Sequence, residues 1–282
     1  MGRWLKFIVT EIVYNGHLQS LGSVGIVYFS SLLFGVTAGV GFLILVYLLF
    51  QTIYYFDRYR DYKIDKSTNK ERSTHIGLYK SRIPLIIMVF VVLMVIGFLH
   101  YSNLLSLFTA SGILLLGILY PIYFKGLTRK IPLFKNIYVG SVHGLLIFFP
   151  LVYYERGVGD TRLVGIGFLI VLFEAMISQF VLDLKDVLSD KKRGLKTLPV
   201  LLGIGNTVKV VFVMSIVSFI IFIYFGWAYS FVVFLVAIVT FLINMVVYLN
   251  IRVRPKVSLI LAASRFFWWF CFLFLLSTVK II

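Results

Sequence analysis

Stretches of about 20 mostly apolar residues recur along nearly the whole chain, and each is long enough to cross the hydrocarbon core of a membrane as a helix. The 282 residues are 61% hydrophobic and only 13% charged. A soluble domain has roughly one half apolar and one quarter charged residues. The apolar runs leave no room for a separate soluble domain. The sequence therefore predicts an integral, multi-pass membrane protein whose residues 1–282 form a single transmembrane domain.

Nine candidate spans account for the apolar runs and predict an all-α bundle of nine transmembrane helices. They cover residues 21–38, 40–56, 83–100, 104–124, 137–154, 163–182, 207–225, 230–250 and 258–279. Residues 3–14 precede the first span and are typical of an amphipathic helix at the membrane interface. Polar Glu11 and Asn15 interrupt the apolar run at the N-terminus, so we expect no cleaved signal peptide. The single cysteine, Cys271, lies in the last span and cannot form an internal disulfide.

The net charge of +16 is divided unevenly between the two predicted faces of the membrane. With the N-terminus inside, the opposite loops carry only Arg156, Arg162 and Lys280. The loops after the second, fourth, sixth and eighth spans carry Arg58, Arg60, Lys63, Lys66, Lys70, Arg72, Lys80, Arg82, Lys125, Arg129, Lys130, Lys135, Lys185, Lys191, Lys192, Arg193, Lys196, Arg252, Arg254 and Lys256. This asymmetry indicates that the basic loops are cytoplasmic. The positive charge is therefore explained by membrane topology and by attraction to anionic lipid, and it does not indicate nucleic-acid binding.

Acidic residues are rare, and seven of the eleven lie in two of the basic loops. In the first loop, Asp57, Asp61 and Asp65 are spaced four residues apart. If the second span continues as a helix, all three project from one face. Like charges at this spacing repel each other, so the arrangement requires cations between them. Either neighbouring basic side chains or a divalent metal would meet that requirement.

The second acidic loop carries Asp183, Asp186 and Asp190, again spaced to share one helical face. Asp183 lies at the membrane end of the sixth span, where a carboxylate is costly and usually functional. Mg²⁺ typically takes one or two carboxylates and completes its shell with water and substrate phosphates. Two such clusters on one side of the membrane, surrounded by Lys and Arg, favour a Mg²⁺–diphosphate site. The alternative is a pair of solvated loops of mixed charge.

The motifs around these aspartates resemble those of the UbiA-type intramembrane prenyltransferases. The segment DLKDVLSDKKRGLKTLPVLLG, which starts at Asp183, is similar to the family's DxxDxxxD…G…KTLP motif. The segment LYPIYFKGLTRKIPLFKNIYVGS is similar to a second family element. Within it, Tyr120, Lys125, Pro132 and Asn136 match family positions.

The first acidic motif departs from the family pattern in two respects. Asp57 stands where the family usually has Asn, while Asp61 and Asp65 are retained. The family's R-P-x-P-x-G is here Arg72-Ser-Thr-His-Ile-Gly77, which keeps Arg and Gly and lacks both prolines. These departures concern the acceptor and the metal geometry, and not the superfamily.

The resemblance implies a helical bundle around a central cavity, with cytoplasmic cap loops. It implies Mg²⁺-dependent transfer of a prenyl group from a polyprenyl diphosphate to a lipophilic acceptor in the membrane. The expected catalytic carboxylates are Asp61, Asp65, Asp186 and Asp190. The expected metal ligands are these four together with Asp57 and Asp183. The expected diphosphate contacts are Arg72, Lys125, Lys196, Tyr120 and Asn69.

The acceptor is left open by the sequence, and the candidates include an aromatic quinone precursor, an isoprenoid or ether glycerolipid, a tetrapyrrole and a carotenoid end group. Membrane lipid is an expected partner, and no obligate protein partner is indicated.

Alternative functions are a CDP-alcohol phosphotransferase, a transporter or a noncatalytic scaffold. The first keeps its aspartates in one continuous motif, and the second leaves the paired clusters unexplained. Weaker candidates for substrate contact within spans are His143, Glu174, Gln179, Asn244 and Arg265, where Glu174 is a possible partner of Arg265.

Overall fold

The computed structural model describes residues 2–282, apart from the side chains of Arg3, Ser67 and Thr68. All regular secondary structure of the described residues is helical, which confirms the predicted fold class. In chain order the helices are α1 (Arg3–Tyr14), α2 (His17–Leu33), α3 (Val40–Thr68), α4 (Lys70–Gly77), α5 (Ile83–Tyr101), α6 (Leu104–Leu119), α7 (Lys125–Leu127), α8 (Phe134–Leu145), α9 (Phe149–Tyr153), α10 (Thr161–Asp183), α11 (Val187–Lys192), α12 (Leu198–Tyr229), α13 (Phe231–Asn250), α14 (Pro255–Ala263) and α15 (Arg265–Thr278).

Seven helical segments of the described chain are long and apolar enough to cross a membrane. The pair α14 and α15, bent by 61°, makes an eighth if it counts as one span. Helix α2 covers most of the predicted first span but has only 17 residues. The multi-pass architecture is therefore confirmed, and the count of nine spans stays a prediction.

The basic loops gather at one end of the bundle. Close contacts join them there: Lys196 N donates to Thr128 O at 3.0 Å, and Leu133 N donates to Lys196 O at 3.1 Å. At the other end, Gly39 N donates to Tyr154 Oη at 2.6 Å. The helix order thus places the loops after α3, α7, α10 and α13 together, as the charge pattern predicts. We refer to these two ends as the basic end and the opposite end.

Close helix packing depends on small residues at a few positions. Helix α2 lies against α15 so closely that a Cβ at Gly25 would come within 1.8 Å of Phe266 O. This approach lets Trp269 of α15 reach Phe29 of α2, with ring centroids 5.3 Å apart. Both aromatic side chains are fully buried. In membranes, where lipid is as apolar as the side chains, such packing is a main source of helix association.

A buried polar network joins α10 to α12, α13 and α15. Arg265 Nη1 donates to the Glu174 carboxylate at 2.8 Å, which confirms the predicted pair. Glu174 also accepts from Ser218 at 2.8 Å and from Asn244 at 3.2 Å. Arg265 and Glu174 are at most 1% exposed. Each charge is therefore neutralised by its partner in a medium where an isolated charge is costly.

Topology can be tested with single cysteines at exposed positions in a Cys271→Ser background. Two of the variants, Lys70→Cys and Lys192→Cys, place the cysteine at the basic end, and Gly157→Cys places it at the opposite end. Because the basic end is predicted to face the cytoplasm, an impermeant maleimide added to intact cells should label only Gly157→Cys. Permeabilisation should expose the other two. Labelling of positions 70 and 192 from different faces would disprove a shared cytoplasmic site.

The Glu174–Arg265 pair can be tested by removing one charge or both. Arg265→Met should destabilise the protein by about 3–5 kcal/mol, because it leaves a buried carboxylate unpaired. The double variant Glu174→Gln/Arg265→Met should recover most of that loss. Arg162→Met is the matched control, since its pair with Asp160 is exposed and water screens it, so its loss should hardly change stability. Unfolding in detergent measures all three, and equal losses for the single and double variants would contradict a paired charge.

Candidate active site

A cavity of about 190 Å³ opens among α3, α6, α7, α8, α10 and α11 at the basic end of the bundle. Its lining changes along its depth. Near the basic loops it is charged, and towards the middle of the bundle it is formed by apolar side chains such as Phe50, Ile53 and Val142. This arrangement brings a charged region and an apolar region into one continuous space.

Helix α3 supplies the first acidic cluster and shows why its spacing matters. It runs without a break from Val40 to Thr68. Phe50, Tyr54, Asp57, Asp61 and Asp65 lie three or four residues apart, so they follow one face of the helix. The stripe spans about 22 Å at 1.5 Å per residue. The expected shared face of the three aspartates is confirmed.

The second acidic cluster is built differently from the prediction. A single helical face for Asp183, Asp186 and Asp190 requires a continuous helix, but α10 ends at Asp183 and α11 begins only at Val187. The chain turns between them, with Asp186 N donating to Asp183 O at 3.0 Å. All three side chains still line the cavity because the turn brings α11 back over it.

Basic side chains neutralise four of the six aspartates directly. Arg58 Nη1 lies 2.7 Å from Asp57 Oδ2, and Lys125 Nζ donates to Asp61. Lys135 Nζ lies 2.5 Å from Asp183 Oδ1. Six cations line the same cavity as the six aspartates, so the formal charge of the lining is zero. They are Arg58, Arg72, Lys125, Lys135, Lys185 and Arg193.

Arg72 reaches the cavity from α4, a short helix that covers the end of α3. Its Nε and Nη2 donate to the two oxygens of Asp65 at 2.8 and 2.5 Å. Burial acts to lower the pKa of Arg72, but the hydrogen bonds and charge of Asp65 outweigh it and raise the pKa. Asn69 caps α4 by accepting from Arg72 N at 3.4 Å. The guanidinium is therefore a fixed, permanently charged group beside the first cluster.

Asp190 differs from the other carboxylates in its surroundings. Burial raises the pKa of Asp190 above its usual value, and Asp183 and Asp186 add to that effect, against the opposing charge of Lys135. Thr197 Oγ1 donates to it at 3.3 Å. A carboxylate in this state gains most from an added cation.

The cavity contains some of the expected residues and not others. Tyr120, Lys125 and Arg72 line it with all six aspartates. Asn69 and Lys196 are not among its described lining residues, and Lys196 Nζ instead donates to Lys130 O at 3.4 Å. The structure therefore does not favour diphosphate contacts for these two side chains.

Sequence reasoning missed the roles of two neighbouring side chains on α8. Lys135 and Asn136 both bind Asp183, the latter through an Nδ2–Oδ2 hydrogen bond of 2.8 Å. The sequence did offer one signal for these roles: Asn136 matches a family position, and Lys135 immediately precedes it. Their convergence on Asp183 required the fold, since the residues are 47 and 48 positions apart.

Two intramembrane polar candidates line the cavity and three do not. His143 and Gln179 face it, and His143 Nδ1 donates to Val139 O at 2.8 Å. This bond leaves the Nε2 atom of a neutral imidazole as an acceptor. Glu174, Asn244 and Arg265 belong instead to the buried network described above.

A divalent metal fits this donor set only in combination with other oxygen ligands. No three His, Cys, Asp or Glu side chains of the described residues converge as a metal cage. Several buried polar atoms of the cavity nevertheless lack a partner within the described structure: Asp57 Oδ1, Arg58 Nε, Tyr120 Oη and Arg193 Nε. Mg²⁺ normally takes one or two carboxylates with water and phosphate oxygens. The six aspartates suit that mode and would be completed by a bound diphosphate.

The fold and the site together define a multi-pass membrane protein with a charged cavity at one end of its helical bundle. The model of the UbiA prenyltransferase family matches residues 19–277. The chain therefore belongs to the UbiA prenyltransferase family, a class of membrane transferases. The predicted family and enzyme class are confirmed. None of the curated protein sequences matches the chain.

Solved structures of similar fold support the same architecture. The chain is similar to a UbiA homolog from Aeropyrum pernix K1, with 17% identity, a TM-score of 0.69 and coverage of 88% of this chain and 94% of that one. It is also similar to a UbiA homolog from Archaeoglobus fulgidus bound to DMAPP and Mg²⁺, with 16% identity, a TM-score of 0.57 and coverage of 91% and 97%. A third similar structure, described as a digeranylgeranylglyceryl phosphate synthase, shows 17% identity, a TM-score of 0.52 and coverage of 93% of both chains.

Metal binding should depend strongly on the diphosphate. Because four of the cavity's six aspartates are already paired with cations, a metal that uses those carboxylates has to displace Lys or Arg, whereas a metal–diphosphate pair gives those cations new partners. Mn²⁺ affinity, measured by electron paramagnetic resonance, should rise on the order of tenfold or more with saturating inorganic diphosphate. Asp160→Asn is the matched control and should leave this coupling intact. Tight metal binding without diphosphate would contradict it.

Proposed function

We propose that the protein transfers the prenyl group of a polyprenyl diphosphate to a lipophilic acceptor within the membrane, with Mg²⁺ as cofactor. The observation that carries this proposal is the single cavity in which six aspartates and six cations meet an apolar region. The charged part suits a diphosphate and the apolar part suits its hydrocarbon tail. Relatives of the same fold include structures described as bound to DMAPP or GPP with Mg²⁺.

The carboxylates would hold the metal at two positions. Asp61 and Asp65 of α3, with Asp57, form one group. Asp186 and Asp190, with Asp183, form the other. Bound Mg²⁺ would supply positive charge that stabilises the departing diphosphate.

Basic side chains hold the other oxygens of the diphosphate. Lys125 and Arg72 occupy the cavity wall at Asp61 and Asp65, and both can transfer their hydrogen bonds from a carboxylate to a phosphate oxygen. Tyr120, whose hydroxyl is buried without a partner among the described residues, is a further donor. These groups gain strength as negative charge develops on the leaving group.

The reaction breaks the bond between prenyl C1 and the bridging oxygen, and both electrons leave with the diphosphate. The acceptor supplies the electron pair for the new bond to C1 and loses a proton to water or to a nearby base. The allylic carbon carries positive charge in between, and the aromatic faces of Phe50 and Tyr54 on the cavity wall suit it. Exclusion of water by the apolar wall favours transfer over hydrolysis.

The acceptor is proposed as a lipophilic molecule that enters from the bilayer, either an aromatic quinone precursor or an isoprenoid or ether lipid. Both classes fit a cavity whose deeper part is lined mostly by apolar and aromatic side chains. The basic loops and the charged end of the cavity are proposed to face the cytoplasm, and the Lys and Arg asymmetry supports that orientation. A similar structure described as a digeranylgeranylglyceryl phosphate synthase supports inclusion of a glycerolipid acceptor in the test panel.

Aspartate variants test the proposal directly. Membranes are incubated with labelled polyprenyl diphosphate and a panel of both acceptor classes, with and without Mg²⁺. Asp61→Asn and Asp186→Asn should each lower turnover at least on the order of a hundredfold, since each removes charge stabilisation from the leaving group. Asp160→Asn is the matched control, because Asp160 caps α10 at the opposite end and Asn retains that cap. Near-normal turnover in either site variant at saturating Mg²⁺ would assign the clusters a structural role.

A further inference from the structure

The carboxylate of Glu11 on α1 is the centre of a hydrogen-bond cluster outside the cavity. It accepts from five side chains at distances between 2.5 and 3.2 Å. The donors are Asn15 Nδ2, His17 Nε2, Tyr55 Oη, His75 Nε2 and Tyr79 Oη. They come from α2, α3, α4 and the connections next to α1 and α5, so one carboxylate joins five parts of the chain.

The chemistry of this cluster requires an ionised carboxylate. Burial acts to raise the pKa of Glu11, but the hydrogen bonds from His17, Tyr79, His75 and Tyr55 together lower the pKa to about 2. An ionised carboxylate has no proton to donate, so both of its oxygens can accept from all five donors, and each such bond is stronger than a neutral one. Glu11 therefore remains charged and holds its donors in fixed directions.

Helix α4 is attached to α1 on both sides of Arg72. His75 lies three residues after Arg72 and donates to Glu11 at 2.6 Å. Glu71 immediately precedes Arg72 and accepts from Tyr14 of α1 at 2.5 Å. Since α4 has only eight residues, these contacts fix the helix that carries the guanidinium over the cavity.

The sequence around Arg72 shows why such an attachment is needed. Ser73 and His75 occupy the two positions where the motif resemblance leads to proline. Without proline, both residues keep their backbone N–H groups, and the segment forms α4. The His75 side chain can therefore donate a hydrogen bond to Glu11, at a position where proline would have restricted the backbone.

The other face of α1 is apolar and exposed. It carries Trp4, Leu5, Ile8, Val9 and Ile12, and all five side chains are exposed. Their spacing forms one stripe along the helix, which fits the predicted position of α1 at the membrane interface. Helix α1 would thus contact lipid through its apolar face and α4 through Glu11 on its other face, which fixes the position of α4.

We propose that Glu11 is a positioning residue for the prenyl diphosphate, acting through His75 on α4 and Tyr79 in the connection after α4, and thereby on Arg72. This inference rests on the proposed role of Arg72 in diphosphate binding. Glu11 itself lies outside the residues that line the cavity. Its effect is to keep the guanidinium at the cavity when Arg72 exchanges Asp65 for a phosphate oxygen.

The test is a double-mutant cycle read as the Michaelis constant for the diphosphate and, separately, as turnover. Arg72→Met should raise that Michaelis constant about tenfold to a hundredfold, the effect of losing one charge-assisted contact. Glu11→Gln should raise it on the order of tenfold and leave the acceptor's constant unchanged. If Glu11 acts through Arg72, the double variant should be no worse than Arg72→Met alone.

Two further variants separate positioning from general stability. His75→Gln retains an N–H donor towards Glu11 and should keep most of the affinity for the diphosphate. His75→Leu has no such donor and should lose it. Thr240→Val removes the acceptor of the buried Trp269 indole at 2.8 Å. Neither residue is among the described residues that line the cavity, so the variant should lower stability and leave the diphosphate constant unchanged. If Glu11→Gln does not fold, the two His75 variants decide the question.

The outcomes distinguish the inference from the function on which it rests. An unchanged constant in Arg72→Met would remove Arg72 from the diphosphate site and so contradict that part of the proposed function. If the Michaelis constant for the diphosphate rises in Arg72→Met but not in Glu11→Gln, the positioning role of Glu11 is wrong and the proposed function stands. The same holds if the two effects multiply in the double variant. Equal losses for His75→Gln and His75→Leu would overturn the positioning role as well.

Discussion

The structure depends on neutralising carboxylates at the edge of an apolar bundle. Six aspartates line one cavity, and six Lys and Arg side chains line it with them. Carboxylates at such a site are costly unless each has a cation close by. The resulting pairs are exchangeable: a diphosphate can take the basic side chains, and a divalent metal can take the carboxylates. The site is therefore stable as a set of internal ion pairs and still suited to bind a charged substrate with its metal.

The parts that hold these charges are unequal in rigidity. Helix α3 is a continuous rod of 29 residues and fixes the first acidic cluster by its own geometry. The second cluster lies on a turn and on α11, a helix of only six residues, and it depends on α8 through Lys135 and Asn136. Arg72 lies on a similarly short helix. Glu11 on α1 supplies the outside attachment that this short helix cannot provide for itself.

The sequence predicted features that depend on local periodicity and missed those that depend on long-range contacts. The spacing of Asp57, Asp61 and Asp65 predicted one helical face, because four-residue spacing fixes direction within a helix. The break after Asp183 was wrongly predicted as continuous helix, since the apolar pattern of α10 ends there without a proline or glycine to mark the turn. The resemblance of the KTLP segment suggested Lys196 as a diphosphate contact, but its backbone bonds to Thr128 and Leu133 and its Nζ donates to Lys130 O, away from the described cavity lining. Length and hydropathy predicted the spans, whereas the 61° bend between α14 and α15 depends on tertiary packing.

The most direct test of prenyl transfer is the fate of the bridging oxygen. A polyprenyl diphosphate labelled with ¹⁸O between C1 and phosphorus is incubated with the protein, Mg²⁺ and an accepted acceptor. Mass spectrometry then locates the label. Cleavage of the carbon–oxygen bond, as proposed, places all of it in the released diphosphate. Label retained in a prenyl alcohol or in the lipid product would show cleavage at phosphorus and contradict prenyl transfer by this site.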